Sequence, residues 1–182
     1  AVRTYGGLNL PPTVLETPGF PDSIQTQAVP MGGEIMGAGV GDRFSLAIEA
    51  QADPKSGHLD RIQVVKGWID ASGETQERVY DAAWSGDDRL LPDGALAAVG
   101  SSVDLNTGLT ANTIGSPRLT AVWQDPEFDP AQSAFYYVRV LQIPTARHSL
   151  LDKLALGNED IDTRRPDTIQ ERAYTSPIWY RP

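Results

Sequence analysis

The chain contains no cysteine, only two histidines and only three lysines, at positions 55, 66 and 153, among its fifteen basic residues. The absence of cysteine excludes disulfides, thiolate nucleophiles and cysteine-ligated zinc. Two histidines ninety positions apart, His58 and His148, form no His-x-His or His-Glu-x-x-His pattern, and the simpler reading makes each a surface loop residue. Basic charge is also scarce. Twenty-four acidic residues leave a formal net charge of −9, and such a surface repels phosphate backbones and anionic lipid. Nucleic acid and membrane are therefore not expected partners. No run approaches the roughly 18 apolar residues of a membrane-spanning helix, and no signal peptide opens the chain. Nucleophile elbows of the Gly-x-Ser-x-Gly type, phosphate-binding glycine loops ending in Lys-Ser/Thr, and helix-opening Gly-x-Gly-x-x-Gly motifs are missing as well.

What is present is turn chemistry. Seventeen glycines and fourteen prolines in 182 residues favour many short strands over long helices. A chain of this length buries roughly 70% of its unfolded surface, enough for one domain over residues 1–182 without a metal or disulfide. Residues 43–50 alternate Phe44, Leu46 and Ile48 with Ser45, Ala47 and Glu49, which predicts a half-buried strand. Residues 60–70 and 75–84, separated by Asp70-Ala71-Ser72-Gly73, predict a hairpin. Residues 134–143 are apolar on both faces and read as a central strand. Residues 119–123 and 173–180 are shorter candidates, the latter interrupted by Pro177. The opening residues, Ala1 to Tyr5, read as a strand already under way, as in a processed or trimmed chain.

One helix is expected over residues 150–156, capped by Ser149 and ended by Gly157. Residues 10–41 and 87–117 read as long loops, and the glycine-rich 36–41 stretch precedes a strand, so it aims no helix dipole at a phosphate. The expected fold class is mainly β: an antiparallel sandwich or jelly roll with one short helix and long loops.

Three groups of residues invite a functional reading. Asp125, Glu127 and Asp129, on a proline-stiffened loop, supply hard oxygen ligands suited to calcium, although turns before each proline explain the same residues. Trp68, Trp84, Trp123 and Trp179 raise a sugar-stacking platform, with core packing the better account for most of them. Lys66 shares a strand face with Ile62, Val64 and Trp68, so it must snorkel outward, meet a carboxylate or touch a substrate.

The stretches Leu59-Asp60-Arg61-Ile62-Gln63-Val64-Val65-Lys66-Gly67-Trp68, Val79-Tyr80-Asp81-Ala82-Ala83-Trp84-Ser85-Gly86 and Asn112-Thr113-Ile114-Gly115 occur in that order. They are followed by residues 121–130, 134–141 and 168–180. Together with Val29-Pro30-Met31-Gly32-Gly33 they resemble the carboxyl-terminal part of the bacterial family called domain of unknown function 3604. The resemblance implies a much longer parent, periplasmic or secreted, whose amino-terminal half resembles a PHP-type (polymerase and histidinol phosphatase) metal-dependent hydrolase. The divalent metal would sit in that half, and none of its ligands would be here. This chain would then be a non-catalytic domain packed on the catalytic half, with Lys66, Arg139, Arg172 and Trp179 as candidates for the substrate cleft. A carbohydrate-binding or adhesion module, which predicts a row of exposed aromatics on one sheet face, and a structural or oligomerisation domain are the alternatives.

Overall fold

A computed structural model describes residues 1–157 and 164–182. Its described residues form twelve strands and one α-helix: β1 (Val2–Leu8), β2 (Ala28–Pro30), β3 (Glu34–Met36), β4 (Phe44–Gln51), β5 (Leu59–Ile69), β6 (Thr75–Trp84), β7 (Arg118–Gln124), β8 (Ala134–Gln142), β9 (Thr145–Ala146), α1 (His148–Leu156), β10 (Thr168–Ile169), β11 (Arg172–Tyr174) and β12 (Ile178–Arg181). Four of them make a sheet in the order β2-β1-β4-β7. A second sheet runs β3-β12-β8-β5-β6, with β11 also paired to β8, and β9 and β10 form a separate ribbon. Pairings are antiparallel except that of β3 with β12.

The two large sheets share one core. Phe44, Leu46, Ile48 and Leu119 from the first meet Ile62, Val64, Tyr136, Val138, Ile178 and Tyr180 from the second. The mainly β, sandwich-like expectation holds, and its local cause is the period-two alternation of β4, β5 and β8. The 60–70/75–84 hairpin forms as expected, β5 pairing with β6 from Ile69↔Thr75 to Arg61↔Trp84.

Three expectations need correction. The alternation of β4 predicted one wet face, yet Ser45 and Ala47 are as buried as Phe44, Leu46 and Ile48. The reason is tertiary. Leu10, Val14, Ile24 and Ala28, from the stretch read as loop, pack a second small core over Ala47. That stretch also carries two 3₁₀ turns and the strands β2 and β3. The helix starts at His148, two residues early, with Arg147 in the capping position and no side-chain cap. Ser149 lies inside its first turn, and its buried hydroxyl has no hydrogen-bond partner. The C-terminal end is as read: Gly157 closes the helix at φ 59°, a left-handed position that glycine takes without a Cβ clash. Finally, the candidate strand over residues 173–180 is two strands. Both β11 and β12 pair with β8, and between them Thr175 exchanges bonds with Val138, its Oγ1 accepting from the Val138 N–H at 2.9 Å.

Candidate functional site

Because side chains alternate across a strand, β5 and β8 present two different surfaces. Inward go Ile62, Val64, Lys66 and Trp68 of β5, facing Val140, Val138, Tyr136 and Ala134 of β8. Outward go Gln63, Val65 and Gly67, opposite Arg139, Tyr137 and Phe135. Lys66 therefore points into the sandwich. Its ammonium donates to Asp125 Oδ2 at 2.6 Å and to the Glu127 carbonyl at 2.9 Å, and it is 3% exposed.

Asp125 is saturated by neighbours. Tyr136 donates its hydroxyl to Oδ2 at 2.7 Å, and the Glu127 amide donates to Oδ1 at 2.9 Å. Burial, reinforced by the Asp125 charge, pushes the Tyr136 hydroxyl far above its ordinary value. Glu127 turns outward, pairing with Arg78 and accepting from Tyr80 at 3.0 Å; these donors hold its carboxyl below the usual carboxylate range. Tyr80 is pushed up to about 12, first by burial and then by the Glu127 bond. Asp129 accepts from the Ala131 amide at 2.8 Å, a local turn. The three carboxylates considered for calcium are thus divided among separate partners. Among the described residues no group of three or more His, Cys, Asp or Glu is gathered to hold a metal ion.

The histidines also lie apart from any such group. His58 Nδ1 is buried with no hydrogen-bond partner among the described residues, while the exposed His148 lies 3.7 Å from Asp152. Of the tryptophans, Trp68 and Trp123 pack against the core and Trp84 is half-buried; Trp179 stands on the outer face, 46% exposed.

That outer face unites the other three cleft candidates. Trp179 pairs in register with Phe135, Tyr174 with Arg139 and Arg172 with Leu141. A row of aromatic contacts crosses it: Trp179 to Phe135 at 5.4 Å, Phe135 to Tyr137 at 6.5 Å, Tyr137 to Tyr174 at 6.2 Å. Beyond Tyr174 the face becomes ionic. Arg139 Nε donates to Gln63 Oε1 at 2.8 Å, and Gln63 Nε2 donates to Asp81 Oδ1 at 2.8 Å. Arg61 joins Asp81 to the buried Asp60, which also accepts from Gln170 Nε2 at 2.8 Å. Arg89 completes the network, 2.7 Å from Asp60 Oδ1 in an ion pair and donating to the Ala97 and Ser85 carbonyls. Buried charge tolerates such a place only when paired from several sides. Asp60, Arg61, Gln63, Arg89 and Gln170 were not singled out from sequence. Asp60, Arg61 and Gln63 carried one local signal, a buried-strand pattern beginning with two adjacent opposite charges; Arg89 and Gln170 lie outside it.

The model of the family described as protein of unknown function (DUF3604) matches residues 1–182. The chain belongs to that family. No curated protein and no solved structure matches it. The family description assigns no activity, so function has to be argued from the two faces of the six-stranded sheet.

Proposed function

We propose that this chain is the non-catalytic, carboxyl-terminal β-domain of a longer, PHP-like metal-dependent hydrolase, and that it supports the catalytic part by packing the outer face of its six-stranded sheet against it. The observation that carries the reading is the character of that face. An outer face left to solvent is ordinarily polar, but here Phe135, Tyr137, Tyr174 and Trp179 form one aromatic row continuous with a network of charged and amide side chains. Exposed Met36 and Val79 belong to strands of the same sheet. On this reading Arg139, Arg172 and Trp179 meet the catalytic part, whereas Lys66 acts inside the fold. The divalent metal belongs to the catalytic part. The carboxylates and histidines described here do not fit one. The reading also takes the parent to be periplasmic or secreted.

Hydrogen exchange tests this. In the full-length parent, amides of residues 135–139 and 172–181 should exchange more slowly than in the isolated 182-residue chain. Equal exchange in the two would refute the packing.

A further inference from the structure

At the opposite end of the outer face from the ionic network, the β5–β6 turn and the segment before β8 enclose an open groove of about 980 Å³. Its aromatic side is built by one glycine. A Cβ at Gly67 would fall 2.2 Å from the Phe135 ring, so only glycine lets that ring lie against the strand. Trp179 stands beside it with the ring planes 51° apart, forming a wall to the Phe135 floor. Polar side chains, Glu77, Asp129 and Gln132, also line the groove.

We propose that this groove is a binding site for a neutral oligosaccharide. Sugar rings offer apolar C–H faces that stack on aromatic rings, and equatorial hydroxyls that carboxylates and amides accept or donate to. Charge selects further. Asp70, Glu77 and Asp129 line the groove, and its one cation, Arg181, is paired with Glu34, so uronates, sulfated sugars and nucleotides are disfavoured. A peptide strand would add to a sheet edge, such as that of β6, whereas the Phe135 and Trp179 rings stand on the face of the sheet. The groove shares Phe135 and Trp179 with the face proposed to meet the catalytic part, so the inference rests on that reading in placing the sugar where the two parts adjoin; the titration below uses the 182-residue chain alone, and its failure would leave the hydrogen-exchange test of packing untouched.

The test is titration of the 182-residue chain at neutral pH with cello-, xylo-, manno- and chitotetraose, followed by calorimetry and by amide resonances. At least one sugar should bind, shifting resonances around residues 67–77 and 132–135. Trp179→Ala should weaken that binding at least about ten-fold, as loss of a central aromatic contact does. Trp179→Phe should restore part of it, and Tyr174→Ala should leave it unchanged. A sheet-core melting curve like that of the parent chain shows that the half-exposed Trp179 site tolerates the change. The proposal is overturned if none of the four sugars shifts a resonance at about 10 mM, if Trp179→Ala binds like the parent chain, or if a neutral proline-rich peptide occupies the groove in their place.

Discussion

The inner and outer faces of β5 and β8 are made from alternate residues of the same two strands, yet they are held by different physics. Inside, close packing dominates. Phe44 stacks on Tyr136 with centroids 3.9 Å apart, and the one ion pair, Lys66–Asp125, is sealed by the Tyr136 hydroxyl and two backbone groups of the next loop. Outside, the contacts are stacked and tilted aromatic pairs and a branching set of charged and amide side chains that tie residues 85–97 to the sheet. The inner face cannot lose a group without leaving a cavity or an orphaned charge. The outer face can. Trp179 and Tyr174 are aromatic surface that folding leaves uncovered.

Breaking the inner pair should give the largest effect. Lys66→Met or Asp125→Ala alone is expected to cost about 3–5 kcal/mol in urea unfolding, because each strands a buried partner. Lys66→Met combined with Asp125→Asn should cost less than either, since Asn still accepts from Tyr136. If the singles are mild, the pair is not sealed from water. Ile178→Ala, with Ile178 wholly buried between the sheets, should cost about 3 kcal/mol by the same measurement. Gly67→Ala probes the boundary between the faces. Displacing the Phe135 ring should cost about 1–3 kcal/mol, and Phe135→Ala in the same chain should remove most of that penalty.

A spectroscopic titration at high pH probes the buried phenols without mutation. Tyr80 should ionise near pH 12, and Tyr136 should stay protonated still longer. A raised phenol favours the folded state fully below about pH 10 and loses that contribution as pH climbs through about 12. A Tyr80 phenol that ionises near 10 would mean its burial and its bond to Glu127 are wrong. Smallest of all should be Arg172→Ala and Tyr174→Ala on the exposed strand β11, within about 0.5 kcal/mol in the isolated chain. The same changes should matter in the full-length protein, where the proposed packing would make a difference between the two measurements.

Much of the fold was legible because its causes are local. The alternation of β4, the apolar run of β8, the turn residues between β5 and β6, and Gly157 after the helix each act within a few residues. The helix start was misread because Ser149 fits a capping preference that the chain does not use. The single-face reading of β4 failed because its cover comes from Leu10, Val14 and Ile24, more than twenty residues away and without strong periodicity. Lys66 was legible as a residue needing a partner, but the partner, Asp125, is 59 positions distant. Of the cleft candidates, Arg139, Arg172 and Trp179 were named by residue type; their shared face follows from β8, β11 and β12 lying side by side.

The sequence by itself determined the family, the mainly β class, the hairpin and the positions of most long strands, because alternation and turn preference are written in neighbouring residues. Only the tertiary structure decided which face each strand buries, which carboxylate answers Lys66, and that the aromatic row and the Gly67 groove exist at all. Those depend on which strands become neighbours, a choice made by the total burial of both sheets and recorded in no single segment.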